Sequence, residues 1–145
     1  KNIISSNKVL LEVLRGKFPR SINIPLEVSD VRDLATLHRL AFESEKAIGQ
    51  RFIAASKTIQ MQEVCEIFNK EFSASKAPVK SFKDWQVKLL SKFVPALRTL
   101  VPILGRGYTH STRNAEELLG WSQNDIRSTI KDAGQSLIEM GMLND

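Results

Sequence analysis

The feature that most constrains this chain is a change of hydrophobic period around Ser29 to Asp33. Ile22, Ile24, Leu26 and Val28 alternate with Asn23, Pro25, Glu27 and Ser29, the period of a strand with one buried face. Leu34, Leu37, His38 and Ala41 then recur at i, i+3, i+4 and i+7, the period of an amphipathic helix. A strand that runs directly into a helix through Asp30-Val31-Arg32-Asp33 places the chain in the α/β class. Asp33 is the expected N-cap, and Pro25 confines the first part of the strand to an edge or a lead-in.

The rest of the chain reads as helix-rich, with six or seven helices and two to four short strands. Leu10, Leu11, Val13 and Leu14 predict a short helix after Ser6 or Asn7, with Gly16 just past its end. Arg51-Phe52-Ile53-Ala54-Ala55 after Gly49 predicts a second, buried strand. Thr58 is the expected cap of the next helix, whose buried face carries Met61, Val64, Cys65, Phe68 and Phe72. Between Trp85 and Leu104 the apolar spacing is helical, but Pro95 and Pro102 divide it, so two short helices are expected with Pro95 at the first position of the second. Gly105-Arg106-Gly107 opens a loop with a brief strand expected around Tyr108 to His110. A one-to-two-turn helix from about Asn114 stops at Gly120. Ile126, Ile130, Ala133, Gly134, Leu137 and Ile138 make the final helix, with Ser122 and Asn124 as its capping candidates.

Composition excludes several classes. At 145 residues, 42% hydrophobic and 26% charged, the chain is globular and of one-domain size. The net charge of +5 suits an anionic ligand, yet the basic residues scatter through Lys80, Lys83, Lys88, Lys92, Arg98, Arg106 and Arg113 rather than forming a footprint. No nucleic-acid partner is expected. No apolar run approaches a membrane span, so no membrane partner is expected either. The single Cys65 rules out an internal disulfide, and a cytoplasmic location is the default. His38 and His110 lack matched ligands, so no metal site is expected. His38 reads as a core or interface histidine, and Cys65 as a buried small hydrophobe. The first residue is not Met, and the chain is expected to be part of something longer.

One pattern goes beyond a soluble α/β domain. Val28-Ser29-Asp30-Val31-Arg32-Asp33-Leu34-Ala35, the His38-containing helix after it and Gly49-Gln50-Arg51-Phe52-Ile53 stand in order. So do Ile59-Gln60-Met61-Gln62-Glu63-Val64 and Ala115-Glu116-Glu117-Leu118-Leu119-Gly120-Trp121. Together they resemble the latter part of an extended short-chain dehydrogenase/reductase of the NAD-dependent epimerase/dehydratase superfamily, over roughly residues 6 to 140. The Asp-Val-Arg-Asp form with a nearby His is most similar to the dihydroflavonol reductase-like branch. Nucleotide-sugar enzymes of the superfamily carry an Arg-Pro-Gly-Asp element where this chain reads Leu104-Gly105-Arg106-Gly107-Tyr108, with Arg106 as the matching basic residue.

The resemblance implies the C-terminal, substrate-binding region of a Rossmann-type NAD(P)-dependent oxidoreductase across residues 1 to 145. Neither a Gly-x-x-Gly-x-x-Gly phosphate turn nor a Tyr-x-x-x-Lys pair is present in these residues. Tyr108 is the only tyrosine, and the residue four further on is Thr112. NAD or NADP is therefore expected in the parent protein and no cofactor or catalytic residue in this chain. Trp85, Leu89, Leu104 and Tyr108 are candidate walls of a pocket for a small-molecule substrate, with Arg106 as a polar anchor. Asp30, Arg32 and Asp33 are read as a structural ion pair and helix cap rather than as substrate contacts. The Arg51 to Ala55 strand, separated from its parent sheet, implies a homo-oligomer that covers its edges. The alternative reading is a non-catalytic protein-interaction module on the same scaffold.

Overall fold

A computed structural model of the chain describes residues 5–54, 58–107 and 110–143. The elements run α1 (Ser5–Leu14), β1 (Pro25–Glu27), α2 (Val31–Glu43), β2 (Thr58–Gln60), α3 (Met61–Glu71), α4 (Asp84–Leu90), α5 (Pro95–Arg98), α6 (Arg113–Leu119) and α7 (Ile126–Glu139). Single 3-10 turns stand at Glu45–Ala47 and Val101–Ile103. The described residues are thus helix-rich with one small sheet, as the periodicities predict.

Helix ends follow local chemistry at most places. Gly16 and Gly120 adopt left-handed backbone, with φ of 68° and 62°, and end α1 and α6, since a side chain resists that conformation. At Gly16 space is decisive as well, because a Cβ would collide with the Lys76 carbonyl. Pro95 is the first residue of α5, and Pro102 sits in the first turn of the 3-10 segment.

Several start signals fall elsewhere than expected. α1 begins at Ser5, so Ser6 and Asn7 lie inside it. Asp30, not Asp33, caps α2, its extended backbone letting Oδ1 accept from Arg32 N at 2.8 Å. Asp125, not Ser122 or Asn124, caps α7 by accepting from Ser128 N at 3.0 Å. Thr58 lies in β2, which turns straight into α3. His38 is exposed, because α2 buries only Asp33 and Leu37, and the next residue is rotated by about 100° from that side.

The sheet also differs from expectation. β1 pairs antiparallel with β2 in the register Pro25↔Gln60, Leu26↔Ile59 and Glu27↔Thr58. Arg51 to Ala54 forms no strand, and Ala55 lies outside the described residues. A strand exists only where a neighbour satisfies its N–H and C=O groups, and among the described residues no strand pairs with this segment. The segment is held instead by Ser29 Oγ, which donates to the Ala54 carbonyl at 2.7 Å, and by packing of Phe52 and Ala54 against Leu37, Ala115 and Trp121.

The main core lies where α1, α3 and α7 meet. Leu11, Val13 and Leu14 of α1, Val64, Cys65 and Phe68 of α3, and Ile130 and Leu137 of α7 are buried together. Each fully buried large side chain contributes on the order of 1.5–3 kcal/mol relative to exposure. Lys131 to Glu71, at 2.6 Å, and Arg127 to Glu63, at 3.2 Å, border the α3–α7 contact. The Arg15 guanidinium donates to the Met142 carbonyl and ties the last turn to α1.

Candidate functional site: an aromatic face beside an apolar cavity

Helix α4 is short, yet its orientation is well determined. Gln86 Oε1 accepts from Lys83 N at 3.0 Å at the start of the helix, and Val87 is fully buried as its anchor. Beyond its end, Arg98 donates to the carbonyls of Ser91 and Lys92 at 3.0 and 3.1 Å, placing a cation where free carbonyls collect. With Val87 turned inward, Trp85 and Leu89 face outward, 61% and 49% exposed.

Those two side chains, with Arg20, Phe82, Gln86 and Leu90, line an open cavity of about 350 Å³. The Arg20 guanidinium lies over the Phe82 ring, 5.4 Å from its centroid, a cation–π contact. Arg20 also lines a second cavity of about 230 Å³ with Val9, Val13, Phe18, Ile22, Ile24, Met61, Cys65, Pro78, Leu100 and Ser21. Burial pushes the Cys65 thiol up to about 11, so at neutral pH it is uncharged and serves as apolar wall.

The predicted wall residues are only partly brought together. Trp85 and Leu89 share the first cavity. Leu104 is half-buried and Arg106 exposed, and neither is among the residues lining these two cavities. Their loop is pinned nearby: Gly105 N donates to the Asn23 carbonyl at 2.9 Å, and Asn23 Nδ2 donates to Asp84 Oδ1 at 3.2 Å. Tyr108 lies outside the described residues. Arg20 and Phe82 were not anticipated as a pair; they are far apart in sequence and carry no motif.

Asp30, Arg32 and Asp33 stand apart from this face and join α2 to α7. Asp30 accepts from Arg32 N, from Arg32 Nε at 2.9 Å, from Arg32 Nη2 at 2.6 Å and from Thr129 Oγ1 at 2.9 Å. Those four bonds occupy the whole accepting capacity of a carboxylate. Arg32 Nη2 also reaches Asp132 at 2.7 Å. Asp33 accepts from Asn124 N and Nδ2 at 2.8 and 2.7 Å, and its carbonyl accepts from Trp121 Nε1 at 2.9 Å.

A dinucleotide needs glycines at a strand-to-helix turn so that N–H groups approach its pyrophosphate. The described residues do not fit it: the five left-handed glycines, Gly16, Gly49, Gly105, Gly120 and Gly141, all follow helical segments rather than a strand. Among the described residues no cluster of three or more His, Cys, Asp or Glu side chains is placed to hold a metal ion.

No family model matches the chain. The NADPH-dependent methylglyoxal reductase GRE2 of Saccharomyces cerevisiae is 28% identical over 119 residues, covering 76% of this chain and 28% of that protein. A putative uncharacterized oxidoreductase of the same yeast is also 28% identical over 119 residues. The chain is similar in sequence to part of these yeast reductases. It spans little more than a quarter of the length of these relatives. Among solved structures, gox2253 aligns with 95% of this chain using 44% of its own, at a TM-score of 0.70 and 18% identity. Yeast methylglyoxal/isovaleraldehyde reductase Gre2 complexed with NADPH aligns with 94% of this chain and 40% of itself, at a TM-score of 0.64 and 23% identity. The chain thus has the fold of part of a Rossmann-type reductase, and no described helix is long and apolar enough to cross a membrane.

Proposed function

We propose that residues 1 to 145 form the C-terminal, substrate-side portion of a longer cytoplasmic NADPH-dependent carbonyl reductase, and that they shape its pocket while another part of the protein holds the cofactor and moves the hydride. The observation that carries this reading is coverage: 94% of the chain aligns with only 40% of the yeast reductase Gre2. The absence of a phosphate-binding turn and of a Tyr-x-x-x-Lys pair in these residues fits the same division of labour, since such a pair supplies the proton that accompanies hydride transfer. The names of the relatives, methylglyoxal and isovaleraldehyde reductase, favour a small carbonyl compound and NADPH over NAD. The Asp30-Val31-Arg32-Asp33 turn with His38 favours the dihydroflavonol reductase-like branch.

Oxidation of NADPH, followed by its absorbance with methylglyoxal and isovaleraldehyde as substrates, tests the proposal. The 145-residue chain alone is expected to show no turnover above the uncatalysed rate. The product of the reading frame extended upstream to a Gly-rich turn and a Tyr-x-x-x-Lys is expected to turn over. Activity of the 145 residues alone would overturn the reading.

A further inference from the structure

We infer that the apolar cavity beside Arg20 is a binding site for a small amphipathic carboxylate, with its hydrocarbon body among Val9, Val13, Ile24, Met61 and Leu100 and its charged end on the Arg20 guanidinium. The cavity measures about 230 Å³ and opens to solvent beside Val9 and Phe18. An apolar cavity of about 150 Å³ suffices to hold benzene, so this one accommodates a body of about six to eight carbons. Arg20 and Ser21 are the only polar side chains in the wall besides the neutral thiol. Ser21's backbone is engaged, its N–H with the Lys80 carbonyl at 3.0 Å and its carbonyl with Phe82 N at 2.9 Å, while its buried Oγ has no hydrogen-bond partner.

The charge of the ligand follows from Arg20. Among the described residues no carboxylate pairs with it, and its recorded contact is the face of Phe82. A guanidinium laid on a ring keeps its in-plane N–H donors free, in the fork that matches a carboxylate. Arg20 borders both the apolar cavity and the Trp85 cavity, so an anion held there leaves the far end of the ligand in the hydrocarbon wall. This inference rests on reading that side as ligand-facing, but it requires neither cofactor nor turnover.

Hexanoate and hexanol serve as probes, titrated into the 145-residue chain without NADPH and followed by methyl NMR and calorimetry. Hexanoate is expected to bind and to shift the Val13 and Met61 methyl signals. Arg20→Gln is expected to weaken hexanoate about tenfold, the loss of a charge-assisted pair, and to leave hexanol within about twofold. Val9 is 37% exposed at the cavity, so Val9→Phe fills the space without loading the core and is expected to abolish both. Thermal melting checks that each variant is folded, and the methyl shifts of the unaltered chain report the site even where a variant does not fold. No hexanoate binding at about 10 mM, methyl shifts elsewhere, or unchanged affinity in folded Arg20→Gln would each overturn the inference while leaving the reductase reading in place. A failure of the extended chain to turn over, with hexanoate still bound, would do the reverse.

Discussion

Asp30 does three jobs with one carboxylate: it caps α2, pairs with Arg32 and receives Thr129 from α7. Hydrogen bonding from the Arg32 side chain, first among the causes, holds its carboxyl well below the usual aspartate range against the opposing effect of burial. A depressed folded-state pKa means that stability is fully present above the unfolded value, near 4, and is lost as pH falls below it. Denaturant unfolding between pH 5 and pH 2 is therefore expected to show falling stability in the natural chain and a shallower fall in Asp30→Asn. Equal slopes would show that other carboxylates carry the acid sensitivity. The involvement of Asp30, Arg32 and Asp33 as a unit was legible in their spacing. Which aspartate caps was not, since the two sit three residues apart and both are good N-caps by type. The choice is made by partners 91 and 99 residues away, Asn124 reaching Asp33 and Thr129 reaching Asp30.

Between elements, the closest fit is that of α7 on α3. A Cβ built at Gly134 would stand 2.6 Å from the Phe72 ring and 2.8 Å from the Phe68 ring, and those rings already tilt against each other at 5.9 Å. Alanine is favoured over glycine in a helix by about 0.5–1 kcal/mol. Overpacking costs about 1–3 kcal/mol, and Phe68 is fully buried with little room to move. Gly134→Ala is accordingly expected to lower the unfolding free energy by about 1 kcal/mol, read as an earlier urea midpoint with unchanged slope. A later midpoint would mean that Phe72 swings aside freely. The apolar stripe of α7 announced its buried side, and Gly134 stood on it. That this glycine is a seat for two rings depends on the angle at which α3 crosses, which no single helix encodes.

For the molecule as a whole, apolar surface remains open after folding. Phe42 is 93%, Ile48 78% and Phe93 79% exposed, with Trp85 and Leu89 nearby in sequence to the last. We propose that copies of the chain associate through the exposed apolar side chains around Phe93. The ground differs from the strand edge inferred from Arg51 to Ala55, since Arg51 to Ala54 forms no strand. Sedimentation at micromolar concentration is expected to show a dimer or larger species, shifted toward monomer by Phe93→Lys. A single monomeric boundary for the unaltered chain would count against it.

By itself the sequence determined the run of helices, the strand-to-helix turn and the reductase kinship, because apolar period, glycine stops and proline placement act over a few residues and need no partner. Only the tertiary structure decided that β1 pairs with β2 while Arg51 to Ala54 stays unpaired, that Asp30 caps α2, and that Arg20 meets Phe82 between two cavities. Each of these joins groups distant in the chain, and the competition among possible partners is settled by which of them the packed helices bring within hydrogen-bonding or van der Waals reach.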